Sequence, residues 1–354
     1  MTDFKDLFIN KSASIIEAMK QLDKTGKKIL FVVDDDQTYI GTLTDGDIRR
    51  YILKTGKLEG KVLDACNKNS YFEKIGYDKN KVLSIMKENY LKYVPVLDNN
   101  QKIVEIISYE EREIKSKLQA IKSIDIPVVI MAGGFGTRLE PVTKILPKPL
   151  IPIGDKTILE IIMEKFLEYG IKEIWLSLNY KAYMIKSYLS ELNLPIKINY
   201  IEETKPLGTI GSLYMLKNKI NVEKFILTNC DIIVDIDYID LLRFHKENKN
   251  DITIVSSVKN YNIPYGVCMI GDNGTLNKIE EKPEINFLVN TGMYVINSEL
   301  LKLIPENQLF HATHFIEKAQ KEGYKIKVYP ISENSWIDVG EWNEYKKALE
   351  RLII

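Results

Sequence analysis

The sequence predicts an α/β protein in two parts: a tandem pair of small βαββα units, then a larger, mainly parallel mixed sheet with helices on both faces. Three observations carry this. The stretches FVVDDDQTYIGTLT and VPVLDNNQKIVEIIS share one order of strand, polar turn and strand, each set among helical segments. From Pro127 onward, apolar runs of strand length alternate with segments of helical spacing. At 354 residues the chain exceeds one typical domain.

The first repeat, residues 1–58, opens on a helix whose apolar residues Ile15, Ile16, Met19 and Leu22 share one face. A buried strand, KILFVVD, a turn at DDDQ, a second strand, YIGTLTD, and a helix, GDIRRYILKTG, follow. The second repeat, residues 59–118, has a helix over 79–88, strands YVPVLD and KIVEIIS about the turn NNQ, and a helix from Tyr109. One such unit leaves a face of its sheet bare, a physical reason for two to pack together. Residues 119–126 form the connector; the charged run EEREIKSKLQAIKS leading through it has no glycine and predicts a helical link, not a floppy one. The larger domain spans 127–354. Its strands PVVIMAGG, EIWLSLNY and IKINYIEE alternate with helices ILEIIMEKFLEYG and KAYMIKSYLSEL, and ligands of such sheets lie beyond the carboxyl ends of the strands.

Composition excludes several classes. The 49 basic and 49 acidic residues cancel, so no broad basic field for nucleic acid or anionic membrane is indicated. No run approaches 18 apolar residues, and the start MTDFKDLFIN lacks the pattern of a secretory signal. Cys66, Cys230 and Cys268 are too few and scattered for a disulfide framework or zinc site. A cytoplasmic protein is expected. His245 is expected on a solvated helix face, and His311 and His314 on one helix face with a surface or interface role.

The chemistry starts at Ala132-Gly133-Gly134-Phe135-Gly136-Thr137-Arg138. Glycines after a buried strand let backbone N–H groups approach phosphate oxygens without Cβ clashes. A dinucleotide fingerprint would need Gly or Ala where Leu139 stands, and a Walker A loop would end in Gly-Lys-Ser/Thr. Alone, the loop is equally a tight strand-to-helix turn. Ten residues after Arg138 comes Pro147-Lys148-Pro149-Leu150, in which prolines restrict the backbone on both sides of a lysine. An arginine fork and a lysine point charge together suit a polyphosphate.

With the G-x-G-T-R and P-K-P motifs both present, residues 127–354 resemble the sugar-1-phosphate nucleotidyltransferases that make nucleotide sugars. The resemblance implies a Rossmann-like, GT-A-type fold. It also implies in-line attack by a sugar 1-phosphate on the α-phosphorus of an NTP, with Arg138, Lys148 and Asp231 catalytic. Ala132, Gly133, Gly134, Gly136, Thr137, Glu203, Gly208 and Thr209 would contact the nucleotide. Gly266, Glu281, Lys282, Asn290 and Thr291 would contact the sugar phosphate. Mg²⁺ would be held by Asp231, where Cys230 replaces the usual preceding glycine, and by Asp338 of Trp336-Ile337-Asp338-Val339-Gly340. A carboxylate only accepts hydrogen bonds, and guanine offers two adjacent donors, so Glu203 tilts the base towards GTP.

Residues 1–118 resemble a CBS-domain pair, with Gly41, Thr44 and Asp47 at the ligand signature of the first copy. The second copy keeps Ser108 but has Glu111 where Asp is usual. Two readings stay open: a docking or dimerisation module, or a site for an adenine or guanine nucleotide that biases the enzyme. CBS pairs commonly dimerise, so a homo-oligomer is expected. The order of repeats and transferase is most similar to bacterial glucosamine-1-phosphate guanylyltransferases feeding legionaminic acid synthesis, with mannose- or heptose-1-phosphate guanylyltransferases as the alternative. More distant readings are a GT-A glycosyltransferase using Asp235 and Asp237 as a D-x-D metal motif, and a non-catalytic nucleotide sensor.

Overall fold

The computed structural model describes residues 4–108 and 124–352. The helix expected from Tyr109, Glu111 and most of the connector lie outside the described residues. Contacts divide the chain into two units. The first comprises Met1–Glu111, Ser256–Val289 and Pro330–Asn334; the second comprises Arg112–Val255, Asn290–Tyr329 and Ser335–Ile354. The chain passes between them within strands Ile252–Asn262 and Glu284–Asn297 and, after Tyr329, within Ile326–Ile331.

In the first unit the two repeats take the expected order. Helix Ile15–Thr25, strands Ile29–Val33 and Tyr39–Thr44, and helix Asp45–Thr55 are followed by helix Lys79–Glu88 and strands Tyr93–Leu97 and Ile103–Ser108. Each repeat also has a short leading strand that periodicity is too brief to reveal. Phe8–Asn10 pairs parallel with Ile29–Val33, and Glu73–Lys74 pairs parallel with Tyr93–Leu97. Capping boxes start both helices of the first repeat: Ser14 with Glu17, and Thr44 with Asp47. Gly26 and Gly56 end them in the left-handed conformation that glycine adopts without strain. Val258, from the segment that returns after the long excursion, packs into the same core as Ile9, Ile15, Leu30 and Leu43.

The second unit is built on a seven-stranded sheet. Its strands run in the order Lys197–Glu202, Glu173–Leu178, Val128–Met131, Lys224–Asn229, Glu284–Asn297, Ile252–Asn262, Ile326–Ile331. The first four are parallel, and Glu284–Asn297 runs antiparallel to Lys224–Asn229. Val128–Met131 is entirely buried, which is why it reads as an unbroken apolar run. From it the chain winds outward through Glu173–Leu178 and Lys197–Glu202, then returns to its other side as Lys224–Asn229. The order therefore reverses between Val128–Met131 and Lys224–Asn229, and a crevice beyond their carboxyl ends is where such sheets bind ligands.

One expectation is corrected in the packing. His245 is not solvated: it is 1% exposed in helix Tyr238–Glu247, its Nδ1 2.8 Å from Thr253 Oγ1 and its Nε2 3.0 Å from Asn297 Oδ1. The surrounding strands supply polar partners that periodicity cannot show. Burial lowers its pKa below the usual 6.5, aided by the Lys224 charge and opposed by Asn297, Asp251 and Glu223.

Candidate active site

The reversal point carries the signature loop. Strand Val128–Met131 ends at Ala132, whose amide donates to the Ser177 carbonyl at 2.8 Å, and the loop then leaves the sheet. Gly136 is left-handed (φ 70°), and a Cβ there would lie 2.8 Å from Thr143 Cγ2 and 3.1 Å from Lys148 Cβ. Glycine is thus needed twice, for the turn and for close approach to the Pro147–Leu150 segment. A Cβ on Gly133 would lie 3.2 Å from Glu203 Oε1, whereas Gly134 faces open space. Thr137 and Arg138 follow in a short 3₁₀ turn, Thr137–Leu139, with Arg138 exposed.

Lys148 is buried (7% exposed), and its ammonium is paired with the Asp231 carboxylate. Asp231 sits just beyond Lys224–Asn229, where the Cys230 amide donates to the Met131 carbonyl at 3.1 Å. The short ladder of Ile232–Val234 with Trp336–Asp338 pairs Ile232 with Asp338. The Val339 amide closes it on the Asp231 carbonyl at 2.8 Å. Two carboxylates 107 positions apart (338 minus 231) are thereby held side by side. Burial and then the Asp231 charge raise the Asp338 pKa, while the Gly340 amide, Lys148 and Arg138 oppose the rise. A Cβ on Gly340 would lie 2.7 Å from Asp338 Oδ1, 3.1 Å from Arg138 Nη2 and 3.2 Å from Lys148 Nζ. Three side chains named from separate motifs thus meet about one glycine.

Glu203 lies beside the loop, half-buried. Its Oε1 accepts from the Ser177 hydroxyl at 2.8 Å, its Oε2 from the Leu207 amide at 3.1 Å. The carboxylate is already aimed by the protein, with lone pairs to spare. Gly208 is left-handed (φ 83°), and a Cβ there would lie 2.6 Å from the Phe310 carbonyl oxygen. Thr209 Oγ1 accepts from the Ala312 amide at 2.9 Å, so its hydroxyl caps helix Ala312–Lys321, a duty invisible in local sequence. His311 stands at the N-cap of that helix, its ring 5.6 Å from that of His314. No group of three potential metal ligands occurs among the described residues.

The residues expected to hold the sugar phosphate are distributed over both units. In the first unit, Gly266 is paired with Glu281 across the hairpin of Gly266–Ile270 with Leu276–Glu281. Lys282 follows it, left-handed at φ 47° and exposed. In the second, Asn290 Oδ1 accepts from the Gly292 amide at 3.0 Å and its Nδ2 donates to Tyr294 Oη at 2.8 Å. Thr291 is 2% exposed, and its hydroxyl donates to the Val255 carbonyl at 2.8 Å, which ties it to the neighbouring strand. The D-x-D pair is also committed: Asp237 caps helix Tyr238–Glu247 and Asp235 pairs with Lys165 at 3.3 Å. In the first repeat, Thr44 and Asp47 form the capping box, and Asp47 is paired with Arg50.

Sequence reasoning missed Glu341 and Trp342. Glu341 Oε1 accepts from Arg138 Nη1 at 2.9 Å, and Trp342 Nε1 donates to the Glu140 carbonyl at 3.0 Å. Their signal was their place directly after Asp338-Val339-Gly340.

Residues 127–353 match the nucleotidyl transferase family, and residues 1–54 match the CBS domain. The chain belongs to the nucleotidyl transferase family. Among its relatives is the mannose-1-phosphate guanylyltransferase catalytic subunit beta of Dictyostelium discoideum, 34% identical over 62% of this chain and 63% of that one. The D-glycero-alpha-D-manno-heptose 1-phosphate guanylyltransferase of Campylobacter jejuni is 32% identical over 61% of this chain and 96% of its own length. The mannose-type relatives are spanned over only about 63% of their length. Of solved structures, HddC from Yersinia pseudotuberculosis is 30% identical with a TM-score of 0.51, covering 64% of this chain and 99% of its own. HddC complexed with GMP-PN is 29% identical with a TM-score of 0.50, covering 64% and 99%. The nucleotidyltransferase fold and the N-terminal CBS domain expected from sequence are therefore present.

Proposed function

We propose that the chain is a sugar-1-phosphate guanylyltransferase, transferring GMP from GTP to a sugar 1-phosphate with release of pyrophosphate. The observation that carries this is the convergence of Arg138, Lys148 and Asp338 about Gly340, with Asp231 paired to Lys148. Two cations and two carboxylates beside a glycine loop suit the α-phosphate of a nucleoside triphosphate, and a sensor has no need of the carboxylates. The D-x-D reading is disfavoured because Asp237 is spent as a helix cap.

In this mechanism an oxygen of the sugar 1-phosphate forms a bond to the α-phosphorus as the bond to the β-phosphate oxygen breaks. Positioning and charge neutralisation do most of the work. Arg138 stabilises the leaving β,γ-phosphates, and Lys148 swings from Asp231 to the α-phosphate. Lys282 and Glu281 bind the acceptor's phosphate and Asn290 a sugar hydroxyl. Two adjoining part-buried carboxylates, one holding the pKa of the other up, suit a hard divalent cation. Mg²⁺ held by Asp231 and Asp338 would supply charge neutralisation at the α-phosphate.

GTP is supported by the relatives, which are guanylyltransferases, and by the aimed Glu203 carboxylate. For the sugar, those relatives favour mannose or heptose 1-phosphate, whereas the order of CBS repeats and transferase favours glucosamine 1-phosphate, for legionaminic acid synthesis. The CBS pair is assigned either a regulatory nucleotide or a docking role in a homo-oligomer. Pyrophosphate release across a grid of NTPs and sugar 1-phosphates tests the reading. Release with GTP and one of these three acceptors is expected; none with any pair removes it.

A further inference from the structure

The run from Asp338 to Trp342 does more than present a carboxylate. The Gly340 amide donates to Asp338 Oδ1 at 2.7 Å, Glu341 holds Arg138, and Trp342 holds the Glu140 carbonyl. One run thus holds both the Arg138 guanidinium and the backbone two residues beyond it. The guanidinium is divided between two tasks. Its Nη1 is on Glu341, while its Nη2 is turned towards Gly340, 3.1 Å from where a Cβ would sit and on the side where Asp338 and Lys148 converge. An arginine offers five N–H donors in a rigid planar fork, so fixing one edge fixes where the other points.

We propose that Glu341 is a positioning residue for transfer, aiming the free edge of the Arg138 guanidinium at the developing negative charge of the leaving pyrophosphate. This rests on the guanylyltransferase reading above. Both side chains are 57% exposed, and an ion pair so placed contributes little to stability. Its value therefore lies in orientation. An untethered arginine side chain samples several rotamers on a 3₁₀ turn of three residues. The tether removes that freedom before substrate arrives.

The chemistry predicts an unusual kinetic signature. A carboxylate beside the triphosphate repels it, so removing that charge offsets any ground-state attraction lost when Arg138 becomes mobile. As the bond to the β-phosphate oxygen breaks, charge grows on the leaving group, and an aimed fork matters most there. Turnover should fall without matching loss of nucleotide affinity.

The experiment uses the full chain with Glu341→Gln, Glu341→Asp and Trp342→Phe. GTP binding with Mg²⁺ is measured by calorimetry, and kcat by pyrophosphate release with the sugar 1-phosphate that the wild type turns over fastest. For Glu341→Gln, kcat should fall about tenfold while the Kd for GTP stays within about threefold. Glu341→Asp should recover most of that loss, since it restores the charge and acceptor. Trp342→Phe, which keeps a ring but loses the bond to Glu140, should lower kcat by a smaller factor, again with Kd held. The proposal is overturned by a Glu341→Gln chain with kcat within about twofold of wild type, or by Kd weakening in step with kcat. A wild type that binds no GTP and releases no pyrophosphate instead removes the underlying reading.

Discussion

The Lys148 ammonium and the Asp231 carboxylate, 83 positions apart, meet in an ion pair that is largely closed to solvent. Each is the other's neutralising charge at rest, and the proposed mechanism draws both to the substrate. Asp231→Asn should therefore lower pyrophosphate release by about 10²–10³-fold, and Arg138→Ala by a similar factor, the usual loss when one transition-state donor or charge goes. Steady-state release with GTP measures both. Near-normal turnover in the two variants would remove the mechanism.

Much of this centre was legible because its residues sit in short motifs with a local physical reason. The Gly133–Arg138 loop follows a buried strand, and Lys148 is bracketed by two prolines. The ladder that joins Asp231 to Asp338 was not legible, since pairing of two three-residue strands leaves no periodicity. For the same reason the leading strands Phe8–Asn10 and Glu73–Lys74 went unseen. Thr209 and Thr291 show another limit: a hydroxyl in a motif looks the same whether it meets a ligand, caps a distant helix or bonds a neighbouring strand. His245 failed similarly, because its partners Thr253 and Asn297 arrive from other elements.

Glu203 separates base reading from loop architecture. If its carboxylate reads guanine, Glu203→Gln should lower kcat/KM for GTP by about 10–10²-fold while the values for ATP and UTP change much less, as expected when a site loses an acceptor matched to its ligand. Ser177→Ala removes the 2.8 Å hydrogen bond that orients the carboxylate but keeps its charge. That variant should retain the preference for GTP with a smaller loss. Competition among the three nucleotides measures the ratio, and an unchanged ratio in Glu203→Gln would dismiss the base assignment.

In the first repeat, Thr44 and Asp47 satisfy each other and the start of helix Asp45–Thr55. Thr44→Ala should cost about 1 kcal/mol through the lost cap, with or without nucleotide. If the pair also binds a regulatory nucleotide, millimolar AMP, ATP or GTP should raise the thermal midpoint of the full chain, and for at least one of them Thr44→Ala should reduce that rise. Rises that Thr44→Ala leaves unchanged for all three nucleotides would leave the docking role.

His245 provides a pH test independent of catalysis. Its folded pKa lies below 6.5 because burial disfavours the imidazolium, so the unfolded chain binds the proton more readily. Stability from this group is complete above about pH 6.5 and is lost as pH falls through the folded value. His245→Gln keeps a side chain that can donate to Asn297 Oδ1 and accept from Thr253 Oγ1, but it cannot titrate. The variant should be about 1 kcal/mol less stable at pH 7.5, where the neutral imidazole fits its partners better. Between pH 6.5 and 5 the wild type should lose urea resistance more steeply, narrowing the gap. Other groups titrate in both chains alike, so the difference between the two curves isolates this one. Parallel curves would mean that the folded protein admits the proton without penalty.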